Sequence, residues 1–241
     1  MPIIGQNAEY RDGDTPLTGI FFKDSAGHAK RPGLLLVHHG LGLDDHAKAH
    51  AAYYAGRGFV VFACDMYGPG IAGNRESIMA TLGAFRSDPA GLLRRAKAGL
   101  DTLTIHTQFD GRAAAIGYCF GGMTVLEMAR SGMDLTGVVS VHGSLATIAP
   151  AAPGAIKAKV LVCHGALDPH VPMAHVTGFV DEMKQSGIDW QLIMYGGAVH
   201  GFTNNAASTS PGVAYNVDAD RRSTIAIDDF FAEIFGQPRH F

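Results

Sequence analysis

A chain of 241 residues, 47% apolar and only 17% charged, has material for one large folded core and too little charge for an extended disordered tail. Its formal net charge of −3 offers no attraction to polyanions, which sets nucleic acid and acidic membrane surfaces aside as partners. Three widely spaced cysteines, Cys64, Cys119 and Cys163, form neither a disulfide framework nor a CxxC redox or zinc pair.

Met1 to Arg11 lacks the basic start and apolar centre of a signal peptide, and no apolar run reaches the roughly 20 residues of a membrane span. A cytoplasmic protein is expected. Along the chain, short β-rich runs alternate with longer helical patterns. That alternation predicts an α/β fold, a mostly parallel sheet flanked by helices, in one domain over 1–241. An early strand pair falls around 17–22, and the unbroken apolar run 33–38 reads as a strand buried on both faces. Asp44 or Asp45 caps a helix reaching 56–58, and 59–63 is the next strand. The stretch 66–87, rich in Gly, Met and Phe, reads as irregular. A helix at 89–106, a strand at 113–117 and a helix at 121–130 follow. Strands at 137–142, 160–164 and 190–195, with helices at 174–185 and 222–235, complete the pattern.

Gly117-Tyr118-Cys119-Phe120-Gly121-Gly122 lies where a strand stops and a helix starts. It is a G-x-nucleophile-x-G turn with cysteine in place of the commoner serine. So tight a turn brings the backbone on either side of the nucleophile together, and side chains at the flanking glycines would collide with it. A thiol at the first turn of a helix, starting near pKa ~8.5, is lowered by the unpaired N–H groups there. The Phe120 N–H is placed to bind an oxyanion. In isolation the same motif is more often a buried cysteine in a glycine turn.

The downstream loops weigh against that bland reading. Asp168 lies in the loop after the 160–164 strand and His200 in the loop after the 190–195 strand, so nucleophile, acid and histidine follow in α/β-hydrolase order. Singly, Asp168 is a turn residue before Pro169 and His200 one of 12 histidines. Together they read as base and orienting carboxylate for Cys119. The second oxyanion donor falls in His39-Gly40-Leu41-Gly42, with Gly40 first and Leu41 as the alternative register.

GYCFGG, the GALDPHVP loop and the GAVHGF loop together resemble the dienelactone hydrolase family, and the resemblance runs over nearly the whole chain. It implies a triad of Cys119, His200 and Asp168, no metal and no organic cofactor, and opening of a cyclic enol-lactone bearing a carboxylate. The chain also resembles the dienelactone-hydrolase-like enzymes noted for promiscuous phosphotriester hydrolysis, which implies that activity as a side reaction. Two departures bear on the substrate. His39 stands where the family has a glutamate that switches the cysteine on, and Asn204 stands near the place of a carboxylate-binding arginine. Arg75 and Arg86 are candidate counterparts of a second such arginine. Losing a charge-assisted carboxylate contact shifts preference toward uncharged esters and lactones. Leu41, Met66, Tyr67, Phe85 and Phe202 are candidates for an apolar pocket wall. Small molecules are the expected partners, and a homodimer stays open.

Two readings belong to other classes. His38, His39, Asp44 and His46, with His50 beyond, cluster in one segment, the kind of ligand set a metal-dependent hydrolase uses. No HExxH or equivalent spacing supports that, and His46 and His50 at i, i+4 also read as solvent-facing. A non-catalytic redox or binding protein is disfavoured because all three triad members are present.

Overall fold

In the computed structural model, which describes residues 2–25, 29–206 and 210–236, the chain opens with a hairpin. Strands β1 (Ile3–Asp12) and β2 (Thr15–Asp24) pair antiparallel, with Gly13 at φ 56 in the turn between them. Then follow β3 (Arg31–Val37), α1 (Asp45–Gly56), β4 (Val60–Cys64), α2 (Arg75–Ser87), α3 (Pro89–Thr104), β5 (Phe109–Tyr118) and α4 (Phe120–Arg130). The chain continues through β6 (Gly137–Val141), β7 (Lys159–Gly165), α5 (Met173–Ser186), β8 (Trp190–Tyr195) and α6 (Val217–Phe235).

The strands form one sheet of order β1-β2-β4-β3-β5-β6-β7-β8. β2 joins β4 antiparallel, and every pairing from β4 to β8 is parallel. Side chains alternate across a strand, and β3 divides its apolar set accordingly. Leu35 and Val37 enter a core with α2, α3, α4 and α5, while Leu34 and Leu36 enter one with α1 and α6. Both faces are therefore covered, which is why the parallel strands read as unbroken apolar runs.

The expected α/β architecture holds, with three local differences. The stretch read as irregular contains α2, capped by Asn74, whose side chain accepts the Ser77 N–H. Its buried stripe is only Ile78 and Leu82, one helical turn apart, which is too narrow a signal among Gly and Met. α6 begins five residues earlier than the apolar pattern suggested, because Asn216 caps a first turn carrying Asp218 and Asp220. β5 begins at Phe109, ahead of a register irregularity opposite Arg31 and Gly33.

Topology then places the site. From β3 the chain crosses to β4 on one side, then returns to β5 on the other, so β3 and β5 flank the switch point of the sheet. Ligand crevices in open α/β sheets lie at the carboxyl ends of such strands. Val37 pairs with Gly117, so the turns after β3 and β5 stand side by side.

Candidate active site

Cys119 occupies the turn between β5 and α4 with φ 53 and ψ −110, a conformation L-residues rarely adopt. Nearby packing enforces it. A Cβ on Gly117 would overlap the Gly121 backbone, and one on Gly121 would overlap the Val37 carbonyl. The turn aims the thiol out of the sheet edge, at the N-terminus of a helix whose eleven residues are all buried.

His200 Nε2 lies 3.0 Å from Cys119 Sγ, and His200 Nδ1 lies 2.8 Å from Asp168 Oδ2. The carboxylate can only accept, so Nδ1 carries a proton and Nε2 faces the sulfur. Asp168 is itself fixed: its Oδ1 accepts the His170 N–H at 2.8 Å. The His200 backbone pairs with the 212–214 segment, donating to Gly212 and accepting from Ala214.

The electrostatics run in one direction. Burial favours the neutral Cys119 thiol, but the contact and charge of His200, with the N–H groups of Phe120 and Gly40, outweigh it and lower the thiol below its ordinary value. Burial disfavours the His200 imidazolium, yet Asp168 and the sulfur raise it to about 10. Asp168, pushed up by burial, is held below the usual carboxylate range by His200 and the His170 N–H. The pair therefore favours thiolate and imidazolium.

Of the two registers for the oxyanion loop, Gly40 has its N–H toward Cys119 Sγ, as Phe120 does. The Leu41 N–H is engaged elsewhere, donating to His39 Nδ1 at 3.1 Å. Tyr67 braces the loop by donating its hydroxyl proton to the Gly40 carbonyl at 2.8 Å, while its ring lies against Phe120 and His38.

The cleft over Cys119 has two lobes. One, of about 400 Å³, is lined by His39, Gly40, Leu41, His142, Asn204 and the Cys119–His200 pair. The other, of about 450 Å³, carries Arg86, Met123, Ser144, His170 and Val171 beside the same pair. A smaller apolar recess of about 220 Å³ adjoins the second lobe and includes Phe85, Leu92 and Ile148. Arg75 lines a separate neighbouring cavity with Leu41 and Ile78, without Cys119.

Three of the residues expected in the pocket wall lie elsewhere. Phe202 is fully buried, its ring edge-on to His142 and Tyr195, because the turn after His200 folds back into the core. Met66 is also fully buried, its N–H bound to His38 Nε2 and its carbonyl to Arg95. Tyr67 supports the oxyanion loop from beneath. His39 faces the cleft but turns its ring to Leu41 and Asp44.

The structure adds a residue that sequence reading missed. His142, at the end of β6 with φ 41, accepts the Cys119 N–H on Nδ1 at 3.1 Å and approaches Thr203 Oγ1 through Nε2 at 3.0 Å. Its position directly after a parallel strand was the available signal. Cys119 and His142 are the non-glycine residues with positive φ among those described.

Histidines also gather behind the oxyanion loop. His38 has Nδ1 on the His39 carbonyl and Nε2 on the Met66 N–H, leaving no free nitrogen. His39, Asp44 and His46 bring ligand-type atoms within 4.8 Å of one another. His46 and His50 do not face solvent. His46 lies on Thr203, and His50 lies between His46 and the Tyr118 hydroxyl. Burial lowers His46 to about 4, so its imidazole is neutral at pH 7.

Comparison with known proteins gives a family match and several similar solved structures. The model of the dienelactone hydrolase family matches residues 19–235. A solved structure described as a dienelactone hydrolase-like promiscuous phosphotriesterase from metagenomic libraries is 39% identical, with a TM-score of 0.92 over 97% of this chain and 99% of that one. Another, named m3DLH, is 36% identical, with a TM-score of 0.91 over 96% of this chain and 98% of that one. An uncharacterised protein of Caenorhabditis elegans is 34% identical over 155 residues, 62% of this chain and 98% of that protein. No helix among the described residues is long and apolar enough to cross a membrane.

Proposed function

The chain belongs to the dienelactone hydrolase family, and from that premise we propose that it hydrolyses uncharged carboxylic esters and lactones through a Cys119 thiolate. The observation that carries this reading is the contact chain of Cys119 Sγ, His200 and Asp168 at 3.0 and 2.8 Å. The hydrolase class follows from the family; the triad roles and substrate class are inferred from the geometry.

The thiolate attacks the acyl carbon, and the carbonyl oxygen takes up negative charge between the Phe120 and Gly40 N–H groups. His200 Nε2–H protonates the departing alkoxide or aryloxide, leaving a thioester on Cys119. His200, now neutral, takes a proton from water, whose hydroxide attacks the thioester and regenerates the thiolate. Asp168 holds the ring in one tautomer throughout. The apolar recess beside Met123 takes an acyl or aryl group, with Arg86 lining both that recess and the lobe next to Cys119. The counterpart of one family arginine is Asn204, whose Oδ1 accepts the Ala206 N–H.

A second activity is favoured by the 39% identity to the phosphotriesterase. The thiolate displaces an aryloxide at phosphorus while the two N–H donors hold the phosphoryl oxygen, and water then cleaves the S–P bond. Sustained release of aryloxide beyond one equivalent per site is expected; a single-equivalent burst followed by a dead enzyme would remove this reading.

The primary test uses p-nitrophenyl acetate and butyrate with Cys119→Ala and Cys119→Ser. The alanine variant should lose on the order of 10³-fold or more in kcat/KM, and iodoacetamide should abolish wild-type turnover. Unchanged turnover in Cys119→Ala would refute the mechanism. Activity surviving in excess chelator is expected, and its loss would favour a metal-dependent hydrolase.

A further inference from the structure

Beyond the hydrolytic triad, we propose that His39 Nε2, Asp44 Oδ2 and His46 Nδ1 form a binding site for a divalent transition-metal ion of the zinc class. Two nitrogens and a carboxylate oxygen suit Zn²⁺, Co²⁺ or Ni²⁺ better than Ca²⁺ or Mg²⁺, which take oxygen ligands.

Two of the three side chains, Asp44 and His46, are held for this from behind. Asp44 Oδ1 is committed to the Ala47 N–H at 3.1 Å, as the cap of α1, which turns Oδ2 toward His39 at 3.1 Å. His39 Nδ1 accepts the Leu41 N–H, so Nε2 points inward. His46 Nε2 lies 3.2 Å from the Thr203 carbonyl, which can only accept, and we assign the ring proton to it. That leaves His46 Nδ1 as the lone pair of the ring. For Asp44 and His46, fixing the far atom in this way is how proteins orient metal ligands, whereas the Leu41 N–H holds the ring proton of His39 on Nε2.

A second, independent observation points to a ligand. His39 Nε2, on a side chain only 8% exposed, has the Asp44 carboxylate at 3.1 Å as its contact, and His46 Nδ1 is buried without a hydrogen-bond partner. Buried polar nitrogens are rarely left so.

The geometry sets the demand on binding. Ligands at ~2.1 Å in a tetrahedron stand roughly 3.4 Å apart, so atoms now within 4.8 Å must draw together through small side-chain rotations. The ion replaces the proton of His39 Nε2, which moves to Nδ1, and the Leu41 hydrogen bond to Nδ1 is given up.

The test is a titration of the chelator-stripped protein carrying Cys119→Ser, which removes the competing thiol. Zn²⁺ is measured in competition with a chromophoric chelator, and Co²⁺ by its visible absorption. One ion per chain is expected, with affinity weakened about tenfold or more in both Asp44→Asn and His39→Gln. Asp44→Asn keeps an oxygen to cap α1, so it should retain the parent's metal-free melting temperature and carries the test if His39→Gln misfolds. No stoichiometric binding at about 100 μM free Zn²⁺ would overturn the proposal. So would binding that survives both variants and is lost in His200→Ala, which would assign the ion to the triad histidine.

Discussion

Two histidines reach Cys119, one at its side chain and one at its backbone, and the structure holds them in opposite charge states. His200 Nε2 meets the sulfur at 3.0 Å, and His142 Nδ1 accepts the Cys119 N–H at 3.1 Å; their rings stand 5.3 Å apart. Burial disfavours the cation in both. His200 is nevertheless raised, because Asp168 and the sulfur face it, whereas His142 faces Thr203 Oγ1 and is pushed well below its ordinary range by burial and by His200. The carboxylate decides which imidazole carries charge. The neutral one is then free to act as a hydrogen-bond acceptor for the turn that carries Cys119.

The largest expected effect comes from removing that carboxylate. Asp168→Asn should lower ester turnover on the order of 10³-fold, since the amide neither stabilises the imidazolium nor enforces its tautomer. It should also move the pH at which iodoacetamide alkylates Cys119. In the wild type, alkylation follows the thiolate and reaches half its plateau below the ordinary thiol value of 9.0, because the charged His200 favours deprotonation. In Asp168→Asn, His200 loses its proton at lower pH, the thiolate loses its partner, and the midpoint rises. An unmoved midpoint would mean that Asp168 does not set the charge of His200.

A smaller effect is expected at His142. Truncation in His142→Ala removes one acceptor of the Cys119 N–H, which retains the Val141 carbonyl at 2.9 Å. Turnover should fall about tenfold and stability by about 1–3 kcal/mol, read by denaturant unfolding. His142→Asn should recover much of both, because its side-chain oxygen takes the place of Nδ1 and asparagine tolerates a φ of 41. The alkylation midpoint should stay within experimental error of the wild type in both variants. A shift as large as that of Asp168→Asn would erase the distinction between the two histidines.

That distinction was half legible in the sequence. Cys119, Asp168 and His200 each follow a strand, in an order the fold dictates, and each loop has its own glycine-bearing signature, so local pattern located all three. His142 follows a strand too, but its contacts to Cys119 and Thr203 span 23 and 61 residues and leave no local pattern. Phe202 shows the converse error. Its place beside His200 suggested a pocket wall, yet the backbone turn at Gly201, φ 67, directs it into the core. The parallel strands were visible because burial on both faces makes them uniformly apolar, while α2, with only Ile78 and Leu82 buried, was not.

The smallest predicted effect concerns the opposite side of the proposed oxyanion hole. Where His142 steadies the turn carrying the Phe120 N–H, Tyr67 steadies the loop carrying the Gly40 N–H, through its hydroxyl on the Gly40 carbonyl at 2.8 Å. Burial and the neighbouring Cys119 charge push that phenol above its ordinary range, so it stays a protonated donor at every working pH. Tyr67→Phe deletes only this hydrogen bond and leaves the ring packed on Phe120. A loss of about 1 kcal/mol of positioning corresponds to roughly fivefold in kcat, with KM little changed, because the carbonyl oxygen needs the Gly40 N–H most when it is fully charged. Steady-state kinetics on p-nitrophenyl butyrate separate the two constants. A fall in kcat beyond about 100-fold would make Tyr67 a direct donor to the reacting oxygen. No fall at all would show that Gly40 is held by the loop alone, and that the two halves of the hole are supported unequally.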